Sequence, residues 1–197
     1  MSAPVRILVV AALSVIALVG LIVRESLARA AGTEVILAMD AIDPRDVLSG
    51  HYVQLNFREA RPGPAGSPAT CPPTLSHEGW TRTYGASRTW VALAPAGDHA
   101  AVVGQAPTRE AAARLGPVQV RGHAYCFESA TAANVMLDVG VDRFYASQAE
   151  AERISALVDR RGVGPGPVAA IVSVGEDGRA RLKGLRIDGR RLELPPF

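Results

Sequence analysis

Hydrophobic and polar positions divide this chain into two regimes. From Ile7 to Val23 the residues run ILVVAALSVIALVGLIV, with Ser14 and Gly20 the only members that are not aliphatic. With Pro4, Val5 and the stems of Arg6 and Arg24 added, the run approaches the ~20 residues that a helix needs to cross a bilayer core of ~30 Å. A helix satisfies its own backbone there, and the flanking arginines reach toward the headgroups. After Gly32 the pattern changes to alternation. Val35, Leu37 and Met39 fall on one face of an expected strand over 33–42.

The alternation resumes at His51, with His51, Val53, Leu55 and Phe57 on one face and Tyr52, Gln54, Asn56 and Arg58 on the other. Between the two strands lies a turn. Asp43 caps a single helical turn, Pro44 suits its first position, Arg45 follows, and Asp46 completes an acidic capping box. Gly50 supplies the positive φ that ends the turn. Residues 61–74 are rich in Pro, Gly and small polar residues and read as a mobile surface loop.

Beyond the loop, Thr89–Ala94 and Ala100–Ala106 form an expected hairpin around Gly97-Asp98, and Val118–Glu128 pairs with Asn134–Val141. One helix is expected outside the apolar run, Gln148–Arg160, started by the Ser147/Glu150 capping box and striped by Ile154, Leu157 and Val158. The prolyl-glycyl stretch 162–167 stops it. Val168–Val174 has the continuous apolarity of a central strand. Arg179–Ile187 contains a phase shift at Gly184, where a β-bulge would keep Ala180, Leu182, Leu185 and Ile187 on the core side. Arg179, Arg181 and Lys183 then line the solvent face, either as a charged edge that resists stray strand pairing or as a patch for an anionic partner. The fold class is α+β: an N-terminal transmembrane helix over 1–31, then a mostly antiparallel β-rich domain over 32–197 with one packed helix.

Charge narrows the function. Residues 1–31 hold Arg6, Arg24 and Arg29 against Glu25, which accounts for the whole net charge of +2. The remainder is neutral, and a neutral domain has no general footprint for nucleic acid. Ala28-Arg29-Ala30 has the form of a signal-peptide cleavage site, but the apolar run exceeds the usual ~7–15 residues of such a segment, which favours an uncleaved anchor. Flanking arginines on both sides leave orientation undecided by charge. The short segment before the run is easily retained inside, so the domain is expected on the extracytoplasmic face of the cell membrane.

No catalytic residue, metal site or cofactor is expected. The histidines His51, His77, His99 and His123 lack metal-binding spacing, and no glycine loop has phosphate-cradling context. Lys183 is the only lysine, placed on an exposed strand where an ordinary pKa of ~10.4 makes a poor base, which disfavours a Ser/Lys protease. Cys71 and Cys126 are either a disulfide closing a loop of about 55 residues, in an oxidising compartment, or two buried thiols.

The segment Gly50-His51-Tyr52-Val53-Gln54-Leu55-Asn56-Phe57, with Asp43-Pro44-Arg45-Asp46 before it, resembles the signature of the GDYXXLXY family of bacterial membrane-anchored proteins. Gly140-Val141-Asp142-Arg143-Phe144-Tyr145 and the closing run 177–189 resemble two further blocks of that family. The resemblance implies an N-terminal anchor, an exported β-rich domain and a polytopic membrane protein as partner, and it carries over no activity. His51 stands where the signature has Asp, and Phe57 where it has Tyr. Both changes preserve turn and strand grammar while altering possible chemistry, which favours a structural or interaction role. The reading is a non-enzymatic accessory module; the alternative is a hydrolase or metal-dependent enzyme built around His51, Tyr52 and Asp46.

Overall fold

The structure is a computed structural model that describes residues 2–39, 52–62, 70–75, 89–129, 132–145, 147, 149–150, 152–154 and 168–194. Helix α1 (Ala3–Ala31) carries the apolar run, and its aliphatic side chains from Val5 to Leu27 are exposed all round. It is long and apolar enough to cross a membrane. Gly32 alone separates it from β1 (Thr33–Ala38). That position is tight: a Cβ on Gly32 would overlap Ser173 Oγ and crowd the carbonyl of Val174.

The other described strands are β2 (Tyr52–Gln54), β3 (Phe57–Pro62), β4 (Thr89–Ala96), β5 (His99–Ala106), β6 (Val118–Glu128), β7 (Ala132–Asp138), β8 (Arg143–Tyr145), β9 (Val168–Val174), β10 (Ala180–Ile187) and β11 (Arg190–Glu193). They form a four-stranded sheet in the order β1-β9-β10-β11, a five-stranded sheet β3-β7-β6-β4-β5, and a two-stranded ribbon β2-β8. Every pairing is antiparallel, so the α+β reading holds. The core lies between the sheets: Val35, Leu37, Val172 and Leu185 on one side meet Phe57, Val91, Val120 and Val135 on the other. Strand β9 is buried along its whole length, as its unbroken apolarity predicts.

The five-stranded sheet curls until its end strands approach. Arg61 on β3 donates two hydrogen bonds to Glu59 and a third to the Val102 carbonyl on β5, while Val102 N–H donates to Glu59 at 3.4 Å. This clasp satisfies backbone groups that an edge strand would otherwise leave open.

Several expectations change in detail. Strand β3 runs through Arg61 and Pro62, so the first two residues of the expected loop 61–74 belong to the sheet, paired with Ala133 and Ala132. Within that loop Cys71 is buried, as is Leu75 just beyond it, and Cys71 is disulfide-bonded to Cys126 on β6. The bulge in β10 is present between Leu182 and Gly184. It brings Gly184 so close to β11 that a Cβ would meet the Leu192 carbonyl. The charged-edge reading of Arg179, Arg181 and Lys183 is wrong in one respect: β10 is an interior strand, and β11 lies beyond it.

A helix over Arg109–Ala113 (α2), capped by Thr108 Oγ1 accepting from Ala111 N–H at 3.2 Å, was not anticipated. Of the expected helix 148–160, the described residues 149–150 and 152–154 are helical, and Ile154 is fully buried in the core.

Replacing both cysteines by alanine should lower unfolding free energy by about 2–4 kcal/mol, because the bridge restrains a 55-residue separation in the unfolded chain. Urea titration of the full chain in detergent micelles measures it. In the same assay Gly184→Val should cost about 1–3 kcal/mol or more, since the clash is with backbone.

Candidate functional site

The two blocks with signature spacing lie against one another. Strand β2 pairs with β8, placing Tyr52 opposite Tyr145, Val53 opposite Phe144 and Gln54 opposite Arg143. After two intervening residues, Leu55 and Asn56, β3 pairs with β7, beginning at Phe57 opposite Leu137. The His51–Phe57 alternation, expected as one strand, is therefore two strands with successive partners. Between the pairings, Leu55 N–H donates to the Asp142 carbonyl at 2.8 Å, and the partner chain loops out over Val139, Gly140, Val141 and Asp142. Gly140 is in the left-handed region at φ 74°, and its N–H donates to Asp138 Oδ1 at 3.0 Å. A side chain there would be strained, which is why the block opens on glycine.

Leu55, Phe57 and Phe144 point into the core at 5%, 4% and 4% exposure. Phe57 therefore serves as packing, and a phenolic hydroxyl in its place would need a buried partner. Tyr145, by contrast, is 60% exposed. Asp43, Pro44, Arg45, Asp46, Gly50 and His51 lie outside the described residues, as does His77. His123 sits on β6 opposite Asp138, its ring stacked on Tyr125 with centroids 6.3 Å apart. Its Nδ1 is buried without a hydrogen-bond partner among the described residues. Among the described residues no group of three His, Cys, Asp or Glu side chains could hold a metal ion.

The charged chemistry concentrates instead where the helix meets the domain. Arg181 on β10, with its side chain only 10% exposed, donates to Asp177 Oδ1 and Oδ2 at 3.1 and 3.0 Å and to Glu25 Oε1 of α1 at 2.6 Å. Beside it Glu34 on β1 accepts from Lys183 at 3.1 Å and from both Nη atoms of Arg191 at 2.7 and 2.9 Å. The register explains the cluster, because Glu34, Ser173 and Arg181 stand abreast on β1, β9 and β10. These pairs hold Asp177 and Glu34 down at about 2, chiefly through their hydrogen bonds to Arg181 and Arg191 respectively. The same bonds push both arginines upward.

The turn between β9 and β10 also grips the other sheet. Gly178, at φ 73°, lies so close to the Trp90 ring that a Cβ would overlap it. Arg121 N–H donates to the Gly178 carbonyl at 2.7 Å, and Arg109 donates to the Glu176 carbonyl at 2.8 Å. The guanidinium groups of Arg121 and Arg109 lie 5.0 and 5.7 Å from the Trp90 ring centroid. Nothing in the sequence pattern singles out Glu34, Trp90, Arg109 or Arg121, and Glu25 enters only through the charge balance of residues 1–31. One signal was available: Glu25 is the only acidic residue in the first 31.

The lowered carboxylates fix the sign of the pH response. Their ordinary values are 4.5 for Glu34 and 3.8 for Asp177, so their stabilisation is complete above about pH 5 and is lost as pH falls toward 2. Melting temperature should fall across that window. Glu34→Gln should flatten part of the fall, and added salt should shrink the contribution of these partly exposed pairs. A melting temperature independent of pH between 5 and 2 would contradict it.

No curated protein and no solved structure matches the chain. A family model described as GDYXXLXY protein matches residues 14–185, from the middle of α1 to the buried centre of β10. That range takes in the β2-β8 ribbon, the Gly140 loop-out and residues 177–185 of the closing run, and on it the chain belongs to the GDYXXLXY family.

Proposed function

We propose that this protein is a single-span accessory module that holds its β-rich domain on the extracytoplasmic face of a membrane and binds a neighbouring membrane protein there without catalysing a reaction. The observation that carries the reading is the joint between anchor and domain. Gly32 is the whole connection, and it is packed against Ser173 and Val174. Arg181 adds a second fastening to Glu25. A tethered enzyme working on soluble substrates gains from a long flexible linker. A module that must meet a membrane-embedded partner gains from a fixed height and orientation, which reduces the freedom lost on binding.

The all-round apolar surface of α1 supports contact with lipid or with other spans. The Cys71–Cys126 disulfide supports an oxidising compartment. The exposed ribbon residue Tyr145 offers an aromatic anchor of the kind enriched at protein contacts.

Protease added outside sealed, right-side-out vesicles should degrade the domain, and a protected domain would overturn the orientation. A photo-crosslinker at position 145 should yield one discrete adduct containing an integral membrane protein, recovered again when that protein carries the tag. Absence of any membrane-protein adduct from position 145 and from positions along α1 would sink the accessory reading.

A further inference from the structure

The strand directions set which end of the domain lies nearest the anchor. Chain α1 rises into β1, whose first pair with β9 is Thr33 with Val174. The β9–β10 turn, residues 175–179, projects beyond that first pair, back along the direction from which the helix comes. Arg181 at its base reaches Glu25, which is only two residues past Val23, the last of the apolar run. At 1.5 Å per residue that is ~3 Å of helix rise, well inside the headgroup layer. The opposite end of the same strands is marked by Asp98, in the β4–β5 turn, which pairs with Arg186 at 2.7 Å.

The turn is ringed by side chains suited to that layer. Trp90 is half-buried, pressed on one side by Gly178 and attended by Arg109 and Arg121. Arg179, with 62% of its side chain exposed, projects from the turn itself, and Arg24 is exposed on the helix. Tryptophan and arginine are the residues that settle at the membrane–water boundary, the ring for its amphipathic body and the guanidinium for phosphate. Acidic groups share the region. Glu25 and Asp177 are bound to Arg181, while Glu110 and Glu176 are exposed. Counting Arg24, Arg109, Arg121, Arg179 and Arg181 against those four acids leaves 5 − 4 = +1.

We infer that the β9–β10 turn, with Trp90, Arg109, Arg121 and Arg179 around it, is a lipid-docking face that rests on phospholipid headgroups. This inference rests on the membrane anchoring proposed above. A surplus of one charge makes the ligand the headgroup phosphate itself, so docking should occur on zwitterionic phosphatidylcholine and strengthen only modestly with phosphatidylglycerol.

The test uses the full chain with Trp80→Phe, reconstituted in phosphatidylcholine vesicles, so that Trp90 is the sole tryptophan. Phosphatidylcholine carrying a nitroxide on its headgroup should quench Trp90 emission strongly, and lipid with the nitroxide deep in the acyl chain should quench it weakly. Arg109→Glu with Arg179→Glu should reduce headgroup quenching and raise quenching by aqueous acrylamide. Arg190→Glu, at the start of β11 and opposite Ile187 at the far end of β10, should change neither. Carbonate-resistant, vesicle-bound chain whose Trp90 is quenched only by acrylamide would overturn the inference while leaving the anchor intact. Release of the chain by carbonate would instead overturn the anchoring. If Trp80→Phe unfolds, the unmodified chain gives the same reading by hydrogen exchange: amides 175–179 should be slower in vesicles than in detergent, and equal rates would overturn it.

Discussion

Arg181 is the contact on which the arrangement of this protein turns. One guanidinium, almost wholly covered, satisfies two carboxylates that belong to different parts of the chain: Asp177 in the β9–β10 turn and Glu25 in α1. Without Arg181, Asp177 and Glu25 would face one another across the joint, and the turn would lose the bond that shapes it. Asp177 also accepts from Arg179 N–H at 3.0 Å, so the same carboxylate closes the turn locally and ties it to the strand. With the turn fixed, Gly178 can seat against Trp90, and the two sheets are joined at the end nearest α1. The pairs are partly exposed and individually weak. Their effect comes from sharing groups, since each side chain ordered for one bond is already ordered for the next.

The family signature has a physical meaning that does not require chemistry. Tyr52 to Phe57 and Leu137 to Tyr145 are the two arms of successive antiparallel pairings that change register around Leu55. The extra residues on the second arm must bulge, and the bulge needs glycine at positive φ, an acid to hold its N–H, and buried apolar residues on either side. Gly140, Asp138, Leu55, Phe57 and Phe144 supply these. The replacement of the signature's closing Tyr by Phe57 is tolerated because the ring faces the core.

Much of the fold is legible in the sequence. Alternation located β1, the Gly97-Asp98 turn located the β4–β5 hairpin, continuous apolarity marked β9, and the phase slip at Gly184 announced the bulge in β10. These features are local, so their causes lie within a few residues. The failures have a common origin. Pro62 reads as loop because proline removes a donor, yet β3 is an end strand where no donor is needed. The helix over 109–113 is a single capped turn, too short for a periodic signal. Arg179, Arg181 and Lys183 read as an edge because the sequence does not say that β11 will fold back beyond them.

The sequence by itself determined the long apolar helix, the antiparallel β-rich domain and the family, because hydrophobic periodicity and turn residues act over neighbours along the chain. Only the tertiary structure decided that Cys71 and Cys126 are bridged, how the signature arms pair, and that Glu25 and Glu34 would meet Arg181 and Arg191. Those partners lie more than 150 residues apart, and nothing along the chain encodes their distance. It is set by strand order and register, which come from burying two sheet faces at once.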